Sequence, residues 1–259
     1  MIALLVDLGN TRIKWARLTA RGLGAQHAAA HAGWSEADFR RRLFGGAAAR
    51  KRGAAARPRL LAVSVAASAV HRRFLRAARS AGYSPEVVAP LRRAGGVTNG
   101  YREVWRLGAD RWVALIGAHA LEPRARARCV VDVGTAVTID LLDARGRHRG
   151  GAIIPGPDLM VASLLAGTGG IRRRAGHRVP QAASLFARGT QQGLVGGARH
   201  AVAGVIDRAM LLAQAHLRGR PELILTGGAA PGAARDLWSP YRLVPDLVLR
   251  GLAALAASS

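Results

Sequence analysis

Asp7-Leu8-Gly9-Asn10-Thr11-Arg12-Ile13-Lys14 follows an apolar run at the start of the chain, and Asp132-Val133-Gly134-Thr135-Ala136-Val137-Thr138 follows a second apolar run near its middle. Each stretch reads as a strand that ends on an acid, turns on a glycine beside a hydroxyl residue, and returns as a second strand. A glycine in such a turn lets backbone N–H groups approach a phosphate without a side chain between them. Asn10 and Thr11 add side-chain donors, and Lys14 offers a point charge to phosphate oxygens. Asp7, at the strand end, suits a metal ion held directly or through water. One such turn by itself reads equally well as an ordinary hairpin. Its recurrence about half the chain away, in the same strand context, points to an internal repeat.

Working outward, strands are expected at Ile2–Val6, Ile13–Leu18, Leu60–Val65 and Glu86–Ala89. Residues 35–57 read as helical and then as a basic loop, a helix follows near Val70–Ala81, and residues 91–108 read as a loop. Trp112, Leu115, Ile116 and His119 recur at helical spacing, so a helix is expected from Asp110 to Leu121, with Pro123 ending it. The second half repeats the pattern with strands Cys129–Val133, Ala136–Leu142 and Gly150–Ile154, then a helix near Asp158–Leu165. Residues 166–180 read as a Gly/Arg loop and Ser184–Leu217 as mostly helical, open to a break at its glycines. The strand Leu223–Leu225 leads into Thr226-Gly227-Gly228, and helices close the chain. Strands alternating with helices in both halves predict two related α/β domains, over residues 1–121 and 122–259, with a cleft between them.

Composition narrows the function classes. Half of the 259 residues are hydrophobic, enough for a sizeable core, yet no apolar run reaches the roughly 18–20 residues that span a bilayer. The N-terminus lacks a basic start and a cleavage site, so a cytoplasmic protein without a membrane partner is expected. The single cysteine, Cys129, sits in an apolar run and reads as a buried strand thiol. The eight histidines show no zinc spacing, and no G-x-x-x-x-G-K-[ST] loop occurs, which excludes a P-loop kinase. The formal charge of +24 is almost all arginine. Its arginines are scattered, without interleaved aromatics or a helix-turn-helix, which favours solvated surface charge over nucleic-acid contact.

The paired hairpins resemble the way the actin/hexokinase/Hsp70-like superfamily holds ATP. Thr226-Gly227-Gly228 after a buried strand resembles that superfamily's adenosine-binding turn, although a plain glycine turn reads the same. The implied fold class is α/β: two related ribonuclease H-like domains with mixed sheets flanked by helices, and a nucleotide cleft between them. The resemblance becomes specific at Leu107-Gly108-Ala109-Asp110-Arg111, a G-x-D-R opening a helix between the two hairpins. It is similar to the type III pantothenate kinases, a family that includes the Bvg accessory factors. Tyr101 matches the tyrosine of the family's Y-x-x-P-x-x-L-G-x-D-R motif, with Val104 in place of the proline. Gly150-Gly151-Ala152-Ile153-Ile154-Pro155-Gly156 resembles its G-G-x-I-x-P-G segment, and Thr190 ahead of Gly193 fits its substrate-contacting threonine.

What the resemblance implies is ATP-dependent phosphorylation of pantothenate to 4′-phosphopantothenate, the first step of coenzyme A biosynthesis. Asp110 would be the base that accepts the proton of the pantothenate hydroxyl; from its position alone it reads as a first-turn helix acid. Tyr101, Gly108, Ala109, Asp110, Arg111 and Thr190 would bind pantothenate, with an ion pair as the other reading of Arg111. Asp7 through Lys14 (Asp7, Leu8, Gly9, Asn10, Thr11, Arg12, Ile13 and Lys14) and Thr135 would bind ATP, with Mg²⁺ accompanying the nucleotide. Asp132 matches the family's ligand for a monovalent cation, K⁺ or NH₄⁺; a second Mg²⁺-ordering acid is the alternative. The family also implies a homodimer. Two further readings stay open: a kinase for another hydroxyl compound, and a basic regulator contacting nucleic acid on the same fold.

Overall fold

The computed structural model describes residues 3–45, 58–122, 126–175 and 184–257. They form two compact units, the first from residues 1–123 and 246–259 and the second from residues 124–245.

In the first unit β1 (Ala3–Leu8) and β2 (Arg12–Thr19) form an antiparallel hairpin with Leu8 opposite Ile13 and Asp7 opposite Lys14. The short strands β3 (Gly22–Leu23) and β4 (His27–Ala30) both pair antiparallel to β2. On the other side β5 (Arg59–Ser64) runs parallel to β1, and β6 (Ser84–Val87) parallel to β5. The sheet order is β3-β2-β1-β5-β6. β1 and β5 are buried on both faces, which is why each reads as an unbroken apolar run rather than as an alternation. Leu4, Val6, Leu8, Leu60 and Ala62 pack against Phe39 of α1 (Glu36–Phe44) and Phe74 of α2 (Ser68–Ser80). Each such side chain contributes roughly 1.5–3 kcal/mol on burial. Ser35 and Asp38 close a reciprocal capping box at the start of α1. A small hairpin, β7 (Arg93–Ala94) and β8 (Val97–Thr98), precedes α3 (Ala109–His119).

The second unit repeats this design. β9 (Arg128–Val133) and β10 (Ala136–Leu142) form the antiparallel hairpin, and β11 (His148–Pro155) extends it antiparallel. β12 (Glu222–Thr226) runs parallel to β9, and β13 (Tyr241–Leu243) parallel to β12. The order β11-β10-β9-β12-β13 and its strand directions match those of the first sheet. The helices are α4 (Pro157–Gly167), α5 (Gly169–Arg174), α6 (Thr190–Leu217) and the short α7 (Ala230–Ala233). Cys129 is buried, and its thiol is pushed up to about 12 by burial and by the nearby negative charge of Asp140, as a structural strand thiol requires.

The chain then returns to the first unit. α8 (Leu247–Ala257) packs on α3 and on β1, although chain order assigned it to the second domain. Other differences are local. Residues 91–108, expected as loop, carry the β7–β8 hairpin, and β3, β4 and β13 also exceed the expected strands, because runs such as His27-Ala28-Ala29-Ala30 carry no β-branched residues and become strands only by pairing with β2. Residues 169–174, expected as loop, are helical, and α6 starts at Thr190 rather than at Ser184 and runs unbroken through its glycines. The basic segment after α1 (46–57) and the end of the expected Gly/Arg loop (176–180) lie outside the described residues. Among the described residues no helix is long and apolar enough to cross a membrane.

Candidate active site

In the first unit, the turn between β1 and β2 closes with the Gly9 N–H donating to the Arg12 carbonyl at 3.0 Å. Asn10 and Thr11 are exposed at its tip, and Asp7 and Lys14 are half-buried partners across the hairpin. Leu8 and Ile13 are fully buried, so only their backbone is available to a nucleotide. Sequence reading missed His31. Its Nε2 donates to the Gly9 carbonyl at 2.8 Å, and its N–H lies 3.4 Å from the Thr11 carbonyl. β4 brings His31 over the turn through its pairing with β2, and the side chain is 4% exposed. No local signal marks this histidine, because its role depends on that strand pairing.

The same unit holds the G-x-D-R group. Gly108 is the residue before α3, and a Cβ there would stand 2.7 Å from Asp110 Oδ1, so glycine is what leaves room for the carboxylate. Asp110 lies in the first helical turn, where a negative charge is favoured, and its Oδ1 accepts the Arg111 N–H at 2.8 Å. Arg111 is buried. Its Nη1 donates to the Tyr101 hydroxyl at 3.1 Å, and its guanidinium carbon lies 5.7 Å from the centre of that ring. Gly108, Ala109, Asp110, Arg111 and Tyr101 are therefore one cluster. His119, further along α3, packs under the β7–β8 turn, its ring against Gly96.

The second unit gathers three separate sequence motifs. Its hairpin turn closes with the Gly134 N–H donating to the Ala136 carbonyl at 3.0 Å, leaving Thr135 exposed. The Gly156 N–H donates to the Thr135 carbonyl at 2.9 Å, and a Cβ at Gly156 would meet the Thr135 oxygen at 2.8 Å. Gly227 has φ +99, and a Cβ there would collide with Asp132 Oδ1 and with the Val133 backbone. The G-G-A-I-I-P-G segment and the Thr226-Gly227 turn thus both press on the Asp132–Thr135 turn. Thr190 opens α6 and lines an apolar groove of about 320 Å³ with Met160, Leu164, Leu194 and Ala198. It belongs to the second unit, and Tyr101, Asp110 and Arg111 to the first.

Two units with one strand order, each carrying an Asp-x-Gly hairpin at the end of its first strand, make the duplicated α/β fold expected from the resemblance to the actin/hexokinase-like superfamily. Solved structures share the fold. A Baf-family protein from Campylobacter jejuni aligns with TM-score 0.60 at 16% identity, covering 98% of both chains. The activator of 2-hydroxyisocaproyl-CoA dehydratase from Clostridium difficile, with bound ADPNP, aligns with TM-score 0.52 at 13% identity, over 100% of this chain and 94% of its own. The sequence profile of the type III pantothenate kinase family matches residues 3–211. The type III pantothenate kinase of Paracidovorax citrulli (strain AAC00-1) is 38% identical over 260 residues, spanning 99% of this chain and 98% of its own. The chain belongs to the type III pantothenate kinase family.

Proposed function

We propose that this protein transfers the γ-phosphoryl group of ATP to the primary hydroxyl of pantothenate, giving 4′-phosphopantothenate and ADP in the first step towards coenzyme A. The observation that carries this reading is the Asp110 cluster: a carboxylate fixed at a helix start, beside a buried arginine that holds a tyrosine hydroxyl. Asp110 takes the hydroxyl proton as the oxygen attacks the γ-phosphorus and the bond to the β,γ-bridging oxygen breaks, with ADP leaving. The N–H of Arg111 orients the carboxylate for that task. Arg111 and Tyr101 present donors to the polar groups of pantothenate, and Thr190 adds a further contact. The Gly9–Thr11 turn, Arg12, Lys14 and Thr135 bind the nucleotide phosphates. The carboxylate of Asp7, half-buried at a strand end, is the oxygen donor that Mg²⁺ prefers; bound with ATP, the ion neutralises phosphate charge. Asp132, closely approached by the Gly227 turn, supplies oxygen donors suited to a monovalent cation, K⁺ or NH₄⁺. The protein acts in the cytoplasm, as expected of a biosynthetic kinase family. The family resemblance implies a homodimer, which light scattering in solution would detect.

The test is ADP release with pantothenate, Mg·ATP and K⁺, for the wild type and Asp110→Asn. Removal of the base is expected to cost on the order of 10²–10⁴ in kcat. Folded wild type with no turnover in K⁺ or ammonium, or phosphorylation of a sugar in place of pantothenate, would overturn the assignment.

A further inference from the structure

Tyr101 sits on a stretch with no regular structure except the 3-10 turn Val104–Arg106, and Val104 occupies the position where the family motif has a proline. No proline fixes this stretch. What holds it is a residue outside the motif. The exposed Arg92 sends Nη1 to the Asn99 carbonyl at 3.2 Å and to the Tyr101 carbonyl at 2.9 Å, and Nη2 to the Arg102 carbonyl at 3.0 Å. One planar guanidinium thus gathers three carbonyls of a single loop, a task for a fork of fixed donors that a lysine ammonium performs poorly. Asn99, 2% exposed, completes the grip. Its Oδ1 accepts the Tyr101 N–H at 2.9 Å, and its Nδ2 donates to the Val104 carbonyl at 3.3 Å.

The clamp is itself anchored. Arg92 and Asn99 flank the β7–β8 hairpin, and the Asn99 N–H donates to the Arg92 carbonyl at 3.0 Å. The hairpin turns on Gly95 and Gly96, with φ +53 and +78, where side chains are disfavoured. Both glycines lie directly on α3: a Cβ on Gly95 would meet Ile116 Cγ2 at 2.5 Å, and one on Gly96 would meet the His119 ring at 2.8 Å. The helix that carries Asp110 and Arg111 therefore also carries the hairpin from which Arg92 reaches the tyrosine loop.

We propose that Arg92 is a positioning residue for the acceptor substrate: its guanidinium holds the backbone of residues 99–102 so that the Tyr101 hydroxyl meets Arg111, doing through hydrogen bonds what a ring at position 104 does through a fixed φ. The inference rests on the reading that Tyr101 and Arg111 contact pantothenate. It yields a specific rescue. Glu103, with φ −97 and ψ 101, is in the extended region that a residue before proline adopts, and Val104 opens a 3-10 turn, so the backbone already accepts proline there.

The experiment is steady-state kinetics with each substrate varied, on the full-length wild type, Arg92→Ala, Arg92→Lys, Val104→Pro and the Arg92→Ala/Val104→Pro pair. Amide hydrogen exchange is followed over residues 99–107. Arg92→Ala should raise the KM for pantothenate about tenfold, with the KM for ATP and kcat within about twofold, because the loop loses several bonds to a charged group while the ATP hairpin is untouched. Exchange over 99–107 should rise while that of β1 and β5 stays as in the wild type. Arg92→Lys should fall between, and Val104→Pro should restore most of the lost affinity in the alanine background. A pantothenate KM that does not move, a rise in both KM values together, or no rescue by proline would overturn the proposal. Wild type that fails to turn over pantothenate sinks the proposed function instead, and the exchange data still decide whether Arg92 holds the loop.

Discussion

Gly117→Ala tests the contact that ties the end of the chain to the helix bearing Asp110. Gly117 lies in α3 and faces α8. A Cβ there would stand 2.9 Å from the Gly251 nitrogen and nearer still to the Leu247 carbonyl oxygen. Real Cβ contacts essentially never fall below 3.0 Å, and here both obstacles are backbone, which cannot swing aside as a side-chain end does. The helices must separate. Overpacking of this kind costs about 1–3 kcal/mol, and a backbone obstacle places it at the upper end. Alanine returns about 1 kcal/mol of helix propensity. The expected net loss is therefore about 2 kcal/mol, read from urea unfolding at constant m-value. The control is Gly204→Ala in α6, where a Cβ meets nothing within 4 Å; it should stabilise by about 0.5–1 kcal/mol from propensity alone. Gly251→Ala addresses the other side of the same contact, with a Cβ 2.8 Å from Val113 Cγ1. The double variant should therefore lose less than the sum of the singles. If Gly117→Ala behaves like Gly204→Ala, close α3–α8 packing is not what holds the C-terminal helix, and the reasoning fails.

Two other outcomes follow from single side chains. His31→Ala removes the hydrogen bond to the Gly9 carbonyl and should weaken ATP binding by about 1 kcal/mol, near fivefold in its KM, with pantothenate KM unchanged; an unmoved ATP KM refutes the role. Asp143, in the turn between β10 and β11, is raised by burial but held below the ordinary carboxylate value overall, by the Arg147 N–H, the Arg149 guanidinium and the Arg145 N–H together. A depressed folded pKa gives stability that is present above the unfolded value of about 3.9 and is lost as pH falls through the folded one. Asp143→Asn should therefore cost about 1–2 kcal/mol at pH 7, and progressively less as pH falls below about 3.9; a gap between the two proteins that stays constant with pH would contradict this.

The sequence by itself determined the parts whose chemistry is local. An apolar run, an acid and a glycine turn specify a hairpin within a dozen residues, so both Asp-x-Gly hairpins and the G-x-D-R helix start were legible in residues 7–14, 132–138 and 107–111. The recurrence of that pattern was enough to predict two related α/β units. Tertiary structure alone decided what depends on partners distant in sequence. α8 joins the first unit because Gly117 and Gly251 let two helices touch backbone to backbone, a fit that no periodicity reveals. The alanine-rich β4 becomes a strand only on the edge of β2, and this is what carries His31 to the Gly9 carbonyl. Arg92 reads in sequence as one more solvated arginine among many. It becomes the clamp on the Tyr101 loop only because the β7–β8 hairpin folds onto α3 and sets its guanidinium over three carbonyls. Local turn geometry is encoded by the residues that make it, whereas a long side chain acquires its partners from the packing of elements that the chain brings together only on folding.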